Sequence, residues 1–184
     1  MLENISAKKK KILLVEDSRL TGMVVAEFLH KNGYEVETVA TGKEIERAKR
    51  AGSEFYLIML DIDRFKSIND CFGHNAGDLV LKSMAELIKN RIRKIDTLAR
   101  WGGEEFIILL PDTTVKNAAR LAEELRESLS RMDIQGVGRV TASFGVAGYC
   151  PGDSVDSLVN KSDNMMYEAK AAGRNCVRYM DGCE

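Results

Sequence analysis

Carboxylates supply most of the chemistry this chain could perform, and they stand at three places. Glu16 and Asp17 follow a first apolar run, Asp61 and Asp63 close a second (Phe55-Tyr-Leu-Ile-Met-Leu-Asp-Ile-Asp63), and Glu104 and Glu105 follow the pair Gly102-Gly103. Paired carboxylates bind a hard cation or accept a proton, and glycines let a bulky ligand approach the backbone closely. Between them, residues 64–78 alternate glycines, an amide, a lysine and acids with few apolar anchors, a composition suited to a site more than to a core. Lys170 and Arg174 lie near the end of a helical pattern, where cations suit the helix dipole and would equally suit a triphosphate.

The elements that must position these groups follow from hydrophobic periodicity. The run 55–61 reads as a buried strand delivering Asp61 and Asp63 to its carboxyl end. Residues 97–101 and 106–110 read as paired strands around a two-residue Gly102-Gly103 turn, with Glu104 and Glu105 at the tip. Apolar residues at helical spacing predict core helices over 79–93, 116–132 and 155–170, the last closed by a glycine cap at Gly173. A further strand is read over 140–146.

In order along the chain, the stretches LDIDRFKSIND, FGHNAGD, RWGGEEF, VTASFGVA and YEAKAAGRN resemble the motifs of the GGDEF domain. That is the family of diguanylate cyclases, which make cyclic di-GMP from two GTP molecules. The resemblance covers residues 44–180 and implies a Mg2+ (or Mn2+) site of Asp61, the Ile62 carbonyl, Glu104 and Glu105. It implies that Glu104 deprotonates the attacking ribose hydroxyl. It further implies guanine contacts from Asn69 and Asp78, with His74 in the same segment, and phosphate contacts from Lys66, Lys170 and Arg174. A carboxylate at 78 suits guanine independently, because adenine offers an acceptor where guanine offers a donor. Arg93 and Asp96 match the family's Arg-x-x-Asp product-inhibition site. Apart from that resemblance they would read as an i, i+3 ion pair. Each domain would bind one GTP, so the enzyme is expected to be at least a transient homodimer.

Residues 10–43 do not fit that family. A strand over 11–15, a helix over 19–31 and a strand over 34–40 form a β-α-β opening that resembles the front half of a response-regulator receiver domain. Glu16, Asp17 and Asp61 would then echo a receiver's acidic cluster, with Asp17 and Asp61 lying 44 positions apart. No lysine-proline pair follows, since Pro111 and Pro151 are preceded by Leu110 and Cys150, which argues against phosphorylation as the switch. The family's usual lead-in segment is replaced, which opens an alternative: a catalytically impaired module that binds GTP or cyclic di-GMP and passes that state on.

The fold class expected is α/β (α+β), a single mixed-sheet domain with a nucleotidyl-cyclase-like, ferredoxin-like core. In that core, strand 55–61 lies between the 106–110 and 140–146 strands, and strand 11–15 is left to join the sheet elsewhere. Residues 1–9 read as a flexible leader. Lys and Arg (27) nearly balance Asp and Glu (28), with no long apolar run and no signal-peptide pattern. This leads to the expectation of a cytoplasmic protein with no membrane or nucleic-acid partner. Cys71, Cys150, Cys176 and Cys183 show no CxxC spacing and are expected as free thiols.

Overall fold

The computed structural model describes residues 54–180 and, for backbone only, the short strands at 11–14 and 35–38. The element that organises the rest is β3 (Phe55–Ile62), an apolar strand buried on both faces. It pairs antiparallel with β5 (Glu105–Pro111) on one side and with β8 (Ala142–Gly148) on the other. β4 (Thr97–Gly102) lies antiparallel outside β5, and β9 (Val177–Tyr179) lies parallel outside β8. β1 (Lys11–Leu14) and β2 (Glu35–Thr38) extend the β4 edge, giving the mixed order β2-β1-β4-β5-β3-β8-β9. The flanking of β3 by β5 and β8 is the arrangement expected from the sequence. β1 is separated from β3 by β4 and β5, so it does not take the place beside β3 that a receiver would give it.

Strict alternation along β3 sorts the core into two layers. Ile58, Leu60 and Ile62 face one side with Phe106, Ile108, Leu110, Phe144 and Val146. There they pack on α2 (His74–Lys89) through Val80, Met84 and Ile88, and on α3 (Val115–Arg131) through Ala118, Ala122, Leu125 and Leu129. Phe55, Leu57 and Met59 face the other side with Ile107 and Leu109, against Leu158, Val159 and Met166 of α4 (Val155–Ala171). Each such side chain, removed from water, contributes about 1.5–3 kcal/mol before the entropy of ordering it is counted. α4 approaches β8 over Gly145, where a Cβ would lie 2.1 Å from the Ser162 carbonyl oxygen and 2.2 Å from the Met166 nitrogen.

Several boundaries depart from the sequence reading. Residues 64–78 are largely helical: α1 (Phe65–Phe72) follows Arg64, whose backbone is left-handed at φ 58°, and α2 begins already at His74. Short-range composition hid this, because only Phe65 of α1 is buried. α2 ends at Lys89 rather than at 93, and Arg93 lies in the turn that follows. A small hairpin, β6 (Asp133–Ile134) with β7 (Gly138–Arg139), stands apart from the main sheet. Cys71 and Cys176 are free, but Cys150 is disulfide-bonded, against the expectation of a free thiol. Spacing reveals local metal or redox motifs and is silent on pairs that only the fold brings together.

Candidate functional site

The alternation that builds the core also builds the site. Asp61 continues the odd-numbered face of β3, the face covered by α4, and its cross-strand partner in β5 is Glu105. Lys170, in the last turn of α4, reaches over that face and places Nζ 2.8 Å from Asp61 Oδ2. Glu104 occupies the turn between β4 and β5, where its backbone carbonyl accepts a hydrogen bond from Ile62 N at 3.3 Å. That bond ties the hairpin to the end of β3. The turn itself is Gly103-Glu104, one residue later than the glycine pair suggests, because the ladder shifts register between Arg100 and Gly102.

Crowding shows in the acid–base behaviour. Asp61 is 7 % exposed, and its carboxyl is pushed above the ordinary range mainly by burial, with Glu104 and Asp63 adding to the rise and Lys170 opposing it. Burial likewise raises Glu105, followed by the charge of Asp61. Among the described residues no three His, Cys, Asp or Glu side chains are gathered so that they could by themselves hold a metal ion. The open set of Asp61, Glu104, Glu105 and the Ile62 carbonyl is nonetheless all oxygen, under-neutralised, and already drawing one cation, Lys170. Those are donors that suit a hard divalent ion.

Asn69 lies on α1 and Asp78 near the start of α2, on either side of the tight α1–α2 corner. A Cβ on Gly77 would fall 2.0 Å from Asn69 Oδ1, so the bare glycine makes the room that the Asn69 amide occupies. His74 opens α2 and Lys66 lies on the exposed side of α1. Arg174 follows α4 in a left-handed turn, with Gly173, Arg174 and Asn175 at φ 115°, 68° and 45°. The expected cap is therefore present, with Arg174 N donating to the Ala169 carbonyl at 3.1 Å.

Arg93 and Asp96 stand at the opposite end of the β4–β5 hairpin from Glu104. Asp96, with its side chain 1 % exposed, accepts from Arg93 N and Nη2, each at 2.8 Å. Arg93 Nη2 also donates to the Pro111 carbonyl at 2.9 Å. The pair borders a cleft of about 200 Å³ lined also by Arg91, Asn117, Arg120 and Glu124. Glu16 and Asp17 lie outside the described residues.

Arg100 and Asn175 escaped the sequence reading, and Asp63, read there beside Asp61 as a carboxylate at the strand end, has a different role. Arg100 donates from Nε to the Gly103 carbonyl at 2.9 Å, steadying the turn before Glu104. Asp63 is consumed inside the protein by Thr141, Ser143 and Asn175. Asn175 in turn accepts from Arg126 Nη1 at 3.1 Å. Each contact except that of Arg100 spans a sequence distance that no local pattern reports.

A family model described as "Diguanylate cyclase, GGDEF domain" matches residues 38–176, most of the chain. The chain belongs to the GGDEF family. Residues before 38 lie outside that match. Diguanylate cyclase DgcM of Escherichia coli K12 is 44% identical over 124 residues, covering 67% of this chain and 30% of that protein. The response regulator PleD of Caulobacter vibrioides is 40% identical over 139 residues, covering 72% and 31%. This GGDEF chain thus spans about a third of the length of such relatives. The crystal structure of the GGDEF domain of DgcB from Caulobacter crescentus in complex with c-di-GMP aligns with TM-score 0.71 and 34% identity, over 76% of this chain and 85% of that one. The active GGEEF domain of a diguanylate cyclase from Vibrio cholerae aligns at TM-score 0.70 and 34% identity, over 77% and 92%. The mixed α/β architecture of this GGDEF domain is shared with these structures. No helix among its described residues is long and apolar enough to cross a membrane.

Proposed function

We propose that this GGDEF domain is a diguanylate cyclase that condenses two GTP molecules into cyclic di-GMP and releases pyrophosphate. The observation that carries the reading is the acidic face of Asp61 and Glu105 beside Glu104, met by Lys170 from α4. Phosphoryl transfer is catalysed chiefly by positioning and by stabilising charge, and these are the resources gathered here. A Mg2+ or Mn2+ ion held by Asp61, Glu104, Glu105 and the Ile62 carbonyl would neutralise the triphosphate and lower the pKa of a nearby hydroxyl.

The chain's own groups divide the remaining work. Asp78 accepts from the N1 and N2 donors of the guanine edge and the Asn69 amide hydrogen-bonds the same base, with His74 in the same corner. Lys66, Lys170 and Arg174 hold the phosphates. Glu104 takes the proton of the ribose 3′-hydroxyl as its oxygen attacks the α-phosphorus of the second GTP, and the bond from that phosphorus to pyrophosphate breaks. Because each domain holds one GTP, two copies must meet face to face during turnover. Incubation with GTP and Mg2+ followed by chromatography of the nucleotides tests this; cyclic di-GMP from the wild type and none from Glu104→Gln is the expected result.

A second reading draws on the cleft beside Arg93 and Asp96. Arginine grips phosphate and stacks on guanine, and aspartate accepts from the guanine edge. The cleft would take cyclic di-GMP, either as product inhibitor of an active enzyme or as the signal of a binding module without turnover. Cyclic di-GMP binding that is lost on Arg93→Ala, in a protein that makes no product, would favour the module.

A further inference from the structure

Asp63 is a buried carboxylate that the proposed chemistry leaves unused. It is 7 % exposed, and all its hydrogen bonds run to distant parts of the chain. Oδ1 accepts from Ser143 Oγ at 2.6 Å, and Oδ2 accepts from Thr141 Oγ1 at 2.6 Å and from the Asn175 backbone N–H at 3.0 Å. Its own N–H donates to the Thr141 carbonyl at 2.9 Å. The carboxylate therefore joins the exit of β3, the start of β8 and the turn after α4.

That turn is unusual in its backbone. Gly173, Arg174 and Asn175 run at positive φ in succession, and only the first is a glycine. Left-handed conformations of other residues persist where their surroundings hold them. Here the hold is double: Asp63 takes the Asn175 N–H, while Arg126, itself fixed by Glu123, donates to the Asn175 side-chain oxygen at 3.1 Å. The residue whose direction this sets is Arg174, which is exposed.

We propose that Asp63 is a positioning residue: through the Asn175 N–H it fixes the left-handed turn that aims Arg174 at the nucleotide phosphates. The proposal rests on the phosphate role given to Arg174 above. Asp63→Asn would retain the arrangement, since an amide oxygen placed at Oδ2 still accepts from Thr141 and Asn175, and the Ser143 hydroxyl accepts from the amide nitrogen. Asp63→Ala would leave Thr141, Ser143 and Asn175 without their acceptor.

The test is nucleotide binding by calorimetry with the α,β-methylene analogue of GTP and with GMP, both with Mg2+, alongside amide exchange at Asn175. Asp63→Ala should weaken the analogue about tenfold and leave GMP unchanged, while Asp63→Asn stays within about twofold of wild type. Adding Arg174→Ala to Asp63→Ala should cost little more, and Asn175 exchange should quicken only in Asp63→Ala. If Asp63→Ala does not fold, Arg126→Ala removes the other hold on Asn175 and is read by the same measurements. An unchanged preference for the analogue over GMP, strictly additive losses with Arg174→Ala, or unchanged exchange at Asn175 would each overturn the proposal. If the wild type binds neither nucleotide, the reading of the site falls, and the exchange measurement still decides whether Asp63 anchors the turn.

Discussion

Asp61 stands directly opposite Glu105 across the antiparallel β3–β5 ladder, so two carboxylates share one face of the sheet. Burial raises both above the ordinary range, with Lys170 opposing the rise in each case. A folded-state value above the unfolded one means a contribution to stability that is present at acid pH and lost as pH rises through the folded value. A bound divalent cation reverses that loss by favouring the ionised pair. The expected result is that Mg2+ or Mn2+ raises Tm more at about pH 8 than at about pH 5.5. Equal increments at the two pH values would place the ion elsewhere.

Gly77→Ala is expected to act on nucleotide recognition more than on the fold. The new methyl would meet the flexible Asn69 amide, 2.0 Å from its Oδ1. The amide swings out at little cost in stability and leaves its place against Gly77. GTP affinity should fall about tenfold, roughly one hydrogen bond to a purine edge, with Tm nearly unchanged. A loss of Tm without loss of affinity would count against this account.

Gly145→Ala should show the opposite pattern. Its methyl would meet backbone, the Ser162 carbonyl and the Met166 nitrogen of α4, and neither can rotate aside. Destabilisation of about 3 kcal/mol is expected, visible in denaturant melts as a lower midpoint.

Arg93 and Asp96 should both affect stability on mutation, and the conservative Arg93→Lys should isolate the effect on binding. Asp96 is buried and caps the Arg93 backbone as well as its guanidinium, whereas the Arg93 side chain is half exposed. Asp96→Ala should cost about 1–3 kcal/mol of stability along with cyclic di-GMP binding. Arg93→Ala should abolish the binding and also cost stability, because it leaves the buried Asp96 carboxylate without its guanidinium, whereas Arg93→Lys should retain most of the stability and still lose binding. Calorimetry with cyclic di-GMP beside thermal melts distinguishes the two.

Asp153 provides a pH test away from the site. Its carboxylate accepts from Cys150 N at 2.8 Å, Ser157 Oγ at 2.9 Å and Lys161 Nζ at 2.9 Å, just ahead of the Ser154 cap of α4. Burial pushes its pKa up, but Lys161 and the other donors outweigh this and hold it below the ordinary range. Its contribution is therefore present above that range and lost as pH falls through the folded value. Asp153→Asn should lower Tm at neutral pH, with the difference from wild type closing at acid pH. A difference independent of pH would show that the ion pair contributes nothing.

Strands β3, β4, β5 and β8 and the three long helices were legible in the sequence because each buries a face at its own period, whereas the short β6, β7 and β9 were not read from it. β3 reads as an apolar run, and α3 and α4 begin and end within a residue of the expected 116–132 and 155–170. α1 was not legible, since Phe65 alone marks its buried face. Asp61, Glu104 and Glu105 announced themselves by local spacing. Asp63 looked like a second member of that acidic pair, and its actual role depends on Thr141, Ser143 and Asn175, which lie 78, 80 and 112 positions away. Burial by partners so remote leaves no periodic trace, and neither does the bond pattern that makes Arg100 a brace for its own hairpin.

Arg100 also has a second neighbour. Through its backbone it is the residue of β4 that registers with Leu14 of β1, while its guanidinium grips the Gly103 carbonyl ahead of Glu104. The N-terminal strand is thus moored to the sheet at the residue that braces the Gly103-Glu104 turn. Whatever protein segment this edge carries in a longer relative, its attachment lies a few residues of backbone from the turn, on the side of the sheet away from β9.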